Sequence, residues 1–484
     1  VVISLFGEGA EFKRDFEKKF NEKKKQITDK YGDKIGVILV TAMTYPWMEP
    51  SMEQTVACIT TRGGKNDHTP IWCKEHGLPC AVSVKGAPEF LKDGSLITYY
   101  GVGDTPAFYE GRHQYSVTET QLEGLKPSPI PIRLIVSDAS TARSVCMRSY
   151  FPSLNIGRGS GLVRWEMLAA KLRVHPMAVM NYSTLESDFL QLVGQGRMTK
   201  EEAVKTAESV AEFIRTESGE LSPVEWYVKA LAREIAGIVS PYYTDDINEP
   251  MVVRLPDFKT NEHADLLGGR AYEPVEENPM LGDRGAGKYL GAYQKAFLAI
   301  DLKALAHVIN DMGYTNIHIE VPFVRTPDEM KEVARLVKES GINIPLQMMF
   351  ELPVNISRAT EFFKVSDGGQ IGSNDLLQLE FGLDRSGGDI LPWHIQHLQS
   401  RIENLIQERN TTKPEFHLGL CGNLPSTNPE FAKWLVDAGM DEFSVTPDAL
   451  IPALLGVTGE TPDGKQNISI YTAEGEVFVK GQKA

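Results

Sequence analysis

The sequence has few cysteines, and it has no apolar run long enough to span a membrane. The five cysteines are scattered and odd in number: Cys58, Cys73, Cys80, Cys146 and Cys421. Such a set argues against a disulfide framework and favours a reducing compartment, for which the cytoplasm is the default. The opening VVISLF is too short for the apolar core of a signal peptide, and no stretch approaches the ~18 apolar residues of a transmembrane helix.

Basic residues are in the minority. The chain has 50 Lys and Arg against 65 Asp and Glu, which gives a formal net charge of −15. This charge repels nucleic acid and anionic membrane surfaces unless a basic patch intervenes. The densest run of lysines, at residues 18–25, alternates with Glu and Phe at helical spacing and is typical of a solvated amphipathic helix. We therefore expect neither nucleic acid nor a membrane as a partner.

A chain of 484 residues is too long for one hydrophobic core, so we expect more than one domain. Residues 1–35 predict a linker helix, because charged and apolar residues alternate with a period near 3.6. Residues 36–125 contain short β-rich runs separated by Gly and Pro and predict a compact α/β module. The prolines of KPSPIPIR then mark a stiff linker, and residues 458–484 predict an appended hairpin.

Strand-like and helical segments alternate through residues 126–457. The strand-like runs are IRLIVS, LNIGRG, MVVRL, NIHIEVPF, IPLQMMFEL, GGQIGSND, FHLGLCG and DEFSVTP. This alternation predicts an α/β fold in which eight parallel strands close into a (β/α)₈ barrel. An open, doubly wound sheet is the alternative. Polar residues end several of these runs, where barrel enzymes place their active sites.

His68 stands at the start of a predicted helix in TTRGGKNDHTP. Asn66 and Asp67 suit the helix cap, and Pro70 suits the first turn. The free N–H groups and partial positive charge of a helix N-terminus favour a neutral, nucleophilic imidazole and stabilise a phosphoryl group attached to it. The residues thus indicate a phosphohistidine site, with an ordinary surface histidine as the alternative.

Two carboxylates end barrel strands, Glu351 after LQMMF and Asp375 after GQIGSN, and Asn374 is adjacent. These oxygen ligands suit Mg²⁺, although strand-end acids also occur as structural residues. Arginine forks suit phosphate and carboxylate groups, and four arginines occupy comparable places: Arg164, Arg254, Arg284 and Arg385. Taken singly, each of these arginines could also belong to an ordinary surface ion pair.

Cys421 lies between glycines at a strand end, in LGLCGNLPS. Such a thiol is either a proton donor or nucleophile, or a small buried apolar residue. Neighbouring cations would lower its pKa toward neutrality, and this makes it suitable as an acid or base.

These motifs together resemble the phosphoenolpyruvate (PEP)-utilising enzymes, most closely the PEP synthases (pyruvate, water dikinases). The resemblance runs from about residue 36 to 455 and is carried by GGKNDH, RLPDFKTNEHADLLGG, YEPVEENPMLGDRG, GSNDLLQLEFGLDR and LCGNLPS. It implies a swivelling phosphohistidine domain followed by a PEP/pyruvate-binding TIM barrel. It further implies that His68 carries the phosphoryl group, Glu351 and Asp375 bind Mg²⁺, and Cys421 is the acid or base at the methyl carbon. The phosphate and carboxylate would be held by Arg164, Arg254, Arg284, Asn374 and Arg385.

The implied reaction transfers a phosphoryl group from phospho-His68 to pyruvate, within an overall conversion of ATP, pyruvate and water to AMP, PEP and phosphate. Synthases of this family carry an ATP-grasp nucleotide domain, which we expect on a missing part, on another subunit, or absent. Because the chain begins with Val, we also expect a fragment or a processed product. The resemblance implies a homo-oligomer. The alternatives are PEP-dependent transfer to a protein or another acceptor, and a paralogue retained as an assembly scaffold.

The chain departs from the family's usual pattern at a few positions. Asp67 and Thr69 flank His68, where a small neutral residue and Ala are usual. Asp283 stands where an aromatic residue is common, and Glu320 where an apolar residue is common. These positions bear on the carrier histidine and on the identity of the acceptor.

Overall fold

The computed structural model describes residues 1–7, 9–32, 35–63, 68–76, 78–100, 107–116, 124–148, 151–245, 247–291, 295–383, 390–460, 469–471 and 477–479. The chain forms two compact units, one from residues 1–126 and 459–484 and the other from residues 127–383 and 390–458. In these ranges no helix combines the length and the apolarity needed to cross a bilayer.

The first unit contains a parallel sheet in the order β1-β2-β3-β4. Its strands and helices are β1 Val2–Ser4, α1 Gly9–Tyr31, β2 Ile38–Thr41, α2 Glu49–Met52, β3 Ala57–Thr60, α3 His68–Glu75, β4 Cys80–Ala81, α4 Ala87–Phe90, β5 Ile97–Tyr100, β6 Ala107–Glu110 and β7 Gln114–Ser116. The segment expected to be only a linker helix thus also supplies β1, which pairs with β2 through Val2 and Ile38. Val2 is fully buried in the core of this sheet.

The second unit is a closed barrel of eight parallel strands, in which β15 pairs with β8. The strands are β8 Ile132–Val136, β9 Ile156–Arg164, β10 Met251–Arg254, β11 Ile317–Val321, β12 Leu346–Phe350, β13 Gly368–Gly372, β14 His417–Cys421 and β15 Glu442–Val445. Their residues are almost entirely buried, as expected when helices cover a parallel sheet. The predicted barrel is confirmed, and the open sheet is wrong.

Helices surround the barrel, and an insertion of consecutive helices (α6–α10) separates β9 from β10. The helices of this unit are α5 Ala139–Cys146, α6 Trp165–Leu172, α7 Pro176–Met180, α8 Leu185–Gly194, α9 Lys200–Ser218, α10 Pro223–Val239, α11 Thr260–Ala264, α12 Gly285–Leu290, α13 Lys295–Ala306, α14 Pro327–Glu339, α15 Pro353–Ser357, α16 Ala359–Phe363, α17 Ser373–Phe381, α18 Pro392–Thr412, α19 Leu424–Thr427, α20 Pro429–Asp437 and α21 Leu450–Thr458. The local sequence determines where several of these helices begin. Thr199 and Glu202, for example, form a reciprocal capping box at α9.

Two short strands follow the barrel, β16 Ser469–Tyr471 and β17 Val477–Val479. They pair antiparallel, and β16 also pairs antiparallel with β7. The segment expected to form an appended hairpin therefore adds strands to the first unit.

Candidate active site

His68 is the first residue of α3, as the cap pattern predicted. Its Nδ1 lies 2.9 Å from the Thr44 hydroxyl oxygen, and its Nε2 lies 3.1 Å from Oε1 of Glu49. A carboxylate accepts, so Nε2–H donates to Glu49 whenever Nε2 carries a proton, whereas the Thr44 hydroxyl can serve Nδ1 either as donor or as acceptor. The ring is held at both nitrogens, with Glu49 placed to take the Nε2 proton. Asn66 and Asp67, the expected caps, lie outside the described residues.

The remaining predicted residues lie in the barrel unit, where the carboxyl ends of the strands share one rim. Arg164, Arg254 and Cys421 are the last residues of β9, β10 and β14, and Glu351 follows β12. Asn374 and Asp375 are the second and third residues of α17, which begins directly after β13. Asn374 Oδ1 accepts from the backbone N–H of Asn423, 3.3 Å away, beside Cys421. Arg284 joins this group through its contact with Asp375. Arg385 lies outside the described residues.

Arg254 and Arg284 are both tied to carboxylates. Nη2 of Arg254 lies 2.9 Å from Oε2 of Glu166, and its Nη1 lies 3.4 Å from Oδ2 of Asp257. The guanidinium of Arg284 donates to both oxygens of Asp257, with 2.9 Å from Nε to Oδ1, and its Nη1 lies 3.2 Å from Oδ1 of Asp375. Burial alone would lower the pKa of each arginine, but the carboxylates raise it well above its usual range. Both arginines therefore remain charged.

Glu351 has one satisfied and one open carboxylate oxygen. Oε1 accepts from the backbone N–H of Phe323 at 2.6 Å, whereas the buried Oε2 has no hydrogen-bond partner among the described residues. Burial, followed by the charge of Asp375, raises the pKa of Glu351 to about 8. Gly372 leaves room here, since a Cβ at that position would lie 2.7 Å from Oε2. A buried, open carboxylate beside a second acid fits a divalent cation, so Glu351 and Asp375 can hold Mg²⁺.

Cys421 is 2% exposed and packs with Ile135, Leu162 and Met349. Burial raises the pKa of the thiol well above its usual value. The expectation that neighbouring cations lower this pKa toward neutrality is wrong for this structure, because burial outweighs Arg254 and Arg164. The resting group is a neutral thiol, which is a proton donor.

Two family models match the chain. The PEP-binding domain of PEP-utilising enzymes matches residues 158–458, and their mobile domain matches residues 34–101. The chain belongs to the PEP-utilising enzymes. The predicted family is confirmed, with a histidine-bearing mobile domain before the barrel.

Curated relatives of this PEP-utilising enzyme are PEP synthases. That of Neisseria meningitidis serogroup B is 35% identical over 434 residues, which cover 88% of this chain and 51% of the relative. That of Aquifex aeolicus is 34% identical over 457 residues, with 87% and 52% covered. That of Escherichia coli strain K12 is 34% identical over 432 residues, with 87% and 50% covered. The chain spans about half the length of the curated relatives it matches.

Sequence reasoning did not assign roles to three acids of this PEP-utilising enzyme. Glu166 accepts from Arg254 and from the backbone N–H of Asp257, and Asp257 in turn holds Arg284. Glu166 lies two residues after Arg164, and Asp257 lies three residues after Arg254 in the RLPDFK motif, so closeness to an arginine in the sequence was the available signal. Glu49 had no such signal, because it lies 19 residues from His68.

A second cluster of ionisable groups is buried near the rim. Oε1 of Glu273 lies 3.1 Å from Nε2 of His175 and 2.8 Å from Nδ1 of His263, a spacing that would suit a metal ion. However, the Lys288 ammonium lies 2.6 Å from Oε2 of the same carboxylate and already supplies a positive charge. Burial lowers the pKa of both histidines, which keeps them neutral. Because Glu273 precedes Arg284 in the sequence and Lys288 follows it, the ion pair between them holds the chain on both sides of Arg284.

Proposed function

We propose that this PEP-utilising enzyme transfers a phosphoryl group between His68 and the enolate oxygen of pyruvate. The observation that carries the proposal is the barrel rim, where two buried, charged arginines lie near Asp375 and near Glu351, whose Oε2 has no hydrogen-bond partner among the described residues. Arg254 and Arg284 suit the phosphate and carboxylate groups of PEP, and we assign Arg164, Asn374 and Arg385 to the same task. The name of the relatives, PEP synthase, supports pyruvate as the acceptor.

In the direction of synthesis, the thiolate form of Cys421 takes a proton from C3 of pyruvate and becomes the thiol, and the resulting enolate oxygen attacks phosphorus. The P–O bond forms as the P–N bond to His68 breaks, and its electron pair returns to the imidazole. Mg²⁺ held by Glu351 and Asp375 would supply positive charge where the oxygen becomes negative. In the reverse direction Cys421 donates a proton to C3, and its neutral thiol suits that step.

On the carrier, Thr44 fixes Nδ1 of His68 and leaves Nε2 as the nucleophile. Attack through Nε2 needs the neutral tautomer in which Nδ1–H donates to the Thr44 hydroxyl and Nε2 carries the lone pair, and Glu49 accepts the Nε2 proton when the ring starts out protonated on both nitrogens. The nucleotide half of the overall reaction, ATP and water to AMP and phosphate, would need an ATP-grasp domain in a further part of the protein or in a partner. We further propose a homo-oligomer in the cytoplasm, where the five free cysteines remain reduced.

The test uses PEP labelled with radioactive phosphate and the 484-residue chain with Mg²⁺. A phosphoramidate on imidazole is labile in acid and stable in base, so the label should survive alkali and vanish in acid. It should be absent from His68→Ala and present in the control His397→Ala, since His397 is an exposed histidine of α18. If the barrel binds PEP and wild-type His68 never acquires label, the transfer function is refuted and an assembly scaffold becomes the better interpretation.

A further inference from the structure

Glu320 of β11 is a fully buried acid that the fold does not satisfy. Its exposure is 0%, and neither carboxyl oxygen has a hydrogen-bond partner among the described residues. Burying a carboxyl group without partners costs free energy. The proposed transfer to pyruvate assigns Glu320 no role.

The side chain of Glu320 faces the barrel interior. Side chains alternate along a strand, and Ile319 and Val321 on either side are fully buried apolar residues. Glu320 is in register with Arg254 on β10 and with Gln347 on β12. Its electrostatic neighbours lie on several other parts of the barrel and include Arg254, Glu351 and Cys421. The carboxyl group therefore lies near both Arg254 and the Cys421 thiol.

Among the described residues, the groups near Glu320 do not take up its carboxyl oxygens. The guanidinium of Arg254 instead contacts Glu166 and Asp257. Oε1 of the neighbouring Gln347 is likewise buried without a partner among the described residues. Burial raises the pKa of Glu320 well above its usual value, so the group is a neutral carboxylic acid. Such a group offers one donor and free acceptor sites.

We propose that Glu320 hydrogen-bonds a hydroxyl group on C3 of the substrate, so that the preferred acceptor is a 3-hydroxy-2-oxo acid. This inference rests on the proposed function, in which Cys421 acts at C3 and thereby places that carbon next to Glu320. A hydroxyl group both donates and accepts, as a neutral carboxylic acid does. Pyruvate and PEP bind the same site, but because they carry only hydrogen at C3 they leave the carboxyl group of Glu320 without a hydrogen-bond partner.

The test is a calorimetric titration of the 484-residue chain with three ligands in Mg²⁺. They are pyruvate, 3-hydroxypyruvate and 2-oxobutyrate, the last of which replaces the hydroxyl with a methyl group of similar size. Wild-type protein should bind 3-hydroxypyruvate about tenfold to a hundredfold more tightly than 2-oxobutyrate. Glu320→Met should abolish this preference, and the matched variant Glu320→Gln, which keeps a donor and an acceptor, should retain part of it.

Thermal unfolding establishes that each variant is folded, and Glu320→Met removes an unsatisfied buried group rather than a contact. If wild-type protein binds pyruvate and 2-oxobutyrate as tightly as 3-hydroxypyruvate, the role of Glu320 is refuted while the proposed function stands. The role of Glu320 is also refuted if Glu320→Met prefers 3-hydroxypyruvate over 2-oxobutyrate as strongly as the wild type does. If no 2-oxo acid binds to the wild type, the proposed function itself fails and this inference fails with it.

Discussion

At the scale of single residues, the rim arginines are positioned before any substrate arrives. Asp257 holds both Nε and Nη2 of Arg284, a bidentate contact that fixes the plane of the guanidinium. Glu166 holds Arg254 through a single hydrogen bond, from Nη2 to Oε2. Paired arginines still carry unused donors, so an incoming phosphate can add hydrogen bonds to groups that have already lost their rotamer freedom.

Asp375 is the acid whose replacement tests the metal assignment most cleanly. Asp375→Asn should weaken Mg²⁺-dependent binding of pyruvate at least about tenfold, because a neutral amide is a poorer ligand than a carboxylate. The fold should persist, since Arg284 keeps Asp257. Calorimetry of pyruvate binding measures the effect, with Asp437→Asn on the exposed face of α20 as the control. Unchanged affinity in Asp375→Asn would show that this acid is not a metal ligand.

His417 and Glu442 make stability depend on pH. Nε2 of His417 lies 3.0 Å from Oε2 of Glu442, and this hydrogen bond raises the pKa of His417. Burial would raise the pKa of Glu442, but His417 and the charge of Arg133 hold it at about 2. A raised histidine pKa stabilises the fold below the unfolded value and loses that contribution as the pH rises through the folded value. A lowered glutamate pKa stabilises the fold above its unfolded value.

The pair should therefore stabilise the protein most between about pH 4.5 and 6.5, the unfolded pKa values of Glu and His. As the pH rises above about 6.5 and through the raised folded pKa of His417, the wild type should lose stability relative to His417→Gln, which cannot gain a proton. Urea unfolding of both proteins across this range measures the difference in the free energy of unfolding. Parallel profiles would mean that His417 is not stabilised in its charged form.

At the scale of elements, the barrel was predictable because each strand is a short apolar run ended by a polar residue. The runs MVVRL and LQMMFEL contain β10 and β12. Arg254 is the last residue of β10, and Glu351 directly follows β12. The short strand β1 was not predictable, because three residues carry no period and their partner β2 lies more than 30 residues away. The pairing of Arg254 with Glu166 was equally hidden, since it joins two different elements.

Gly159 illustrates how a single glycine shapes β9. Its φ is +73°, and a Cβ there would lie 2.1 Å from the carbonyl oxygen of Pro250, where the register between β9 and β10 shifts. Gly159→Ala should destabilise the protein by about 2 kcal/mol more than Gly196→Ala, because overpacking adds to the backbone strain. Gly196 has a similar φ of +69° and open space around it, so it is the matched control.

Chemical denaturation of both glycine variants gives the two changes in free energy directly. Only the clash with Pro250 distinguishes them, because both substitutions place a Cβ in the left-handed region. Equal losses would mean that β9 and the segment before β10 can separate without cost.

At the scale of the whole molecule, the mobile domain and the barrel divide the proposed chemistry into two steps. His68, the proposed carrier, belongs to the first unit, and the groups proposed to form the enolate belong to the second. Proton exchange at C3 of pyruvate needs only the second, because no phosphoryl group has to move. The two units can therefore be tested separately within one intact chain.

Exchange of the pyruvate methyl protons with deuterated water, followed by proton NMR in Mg²⁺, separates the two steps. His68→Ala should retain exchange close to the wild-type rate, since His68 takes no part in removing the proton. Cys421→Ala should lose about a hundredfold or more, the usual contribution of a positioned acid or base. Cys146→Ala, which changes a half-buried thiol bonded to the Pro241 carbonyl, should leave the rate unchanged. Exchange at the wild-type rate in Cys421→Ala would mean that the Cys421 thiol serves only to pack with Ile135, Leu162 and Met349. A different group would then have to act at C3.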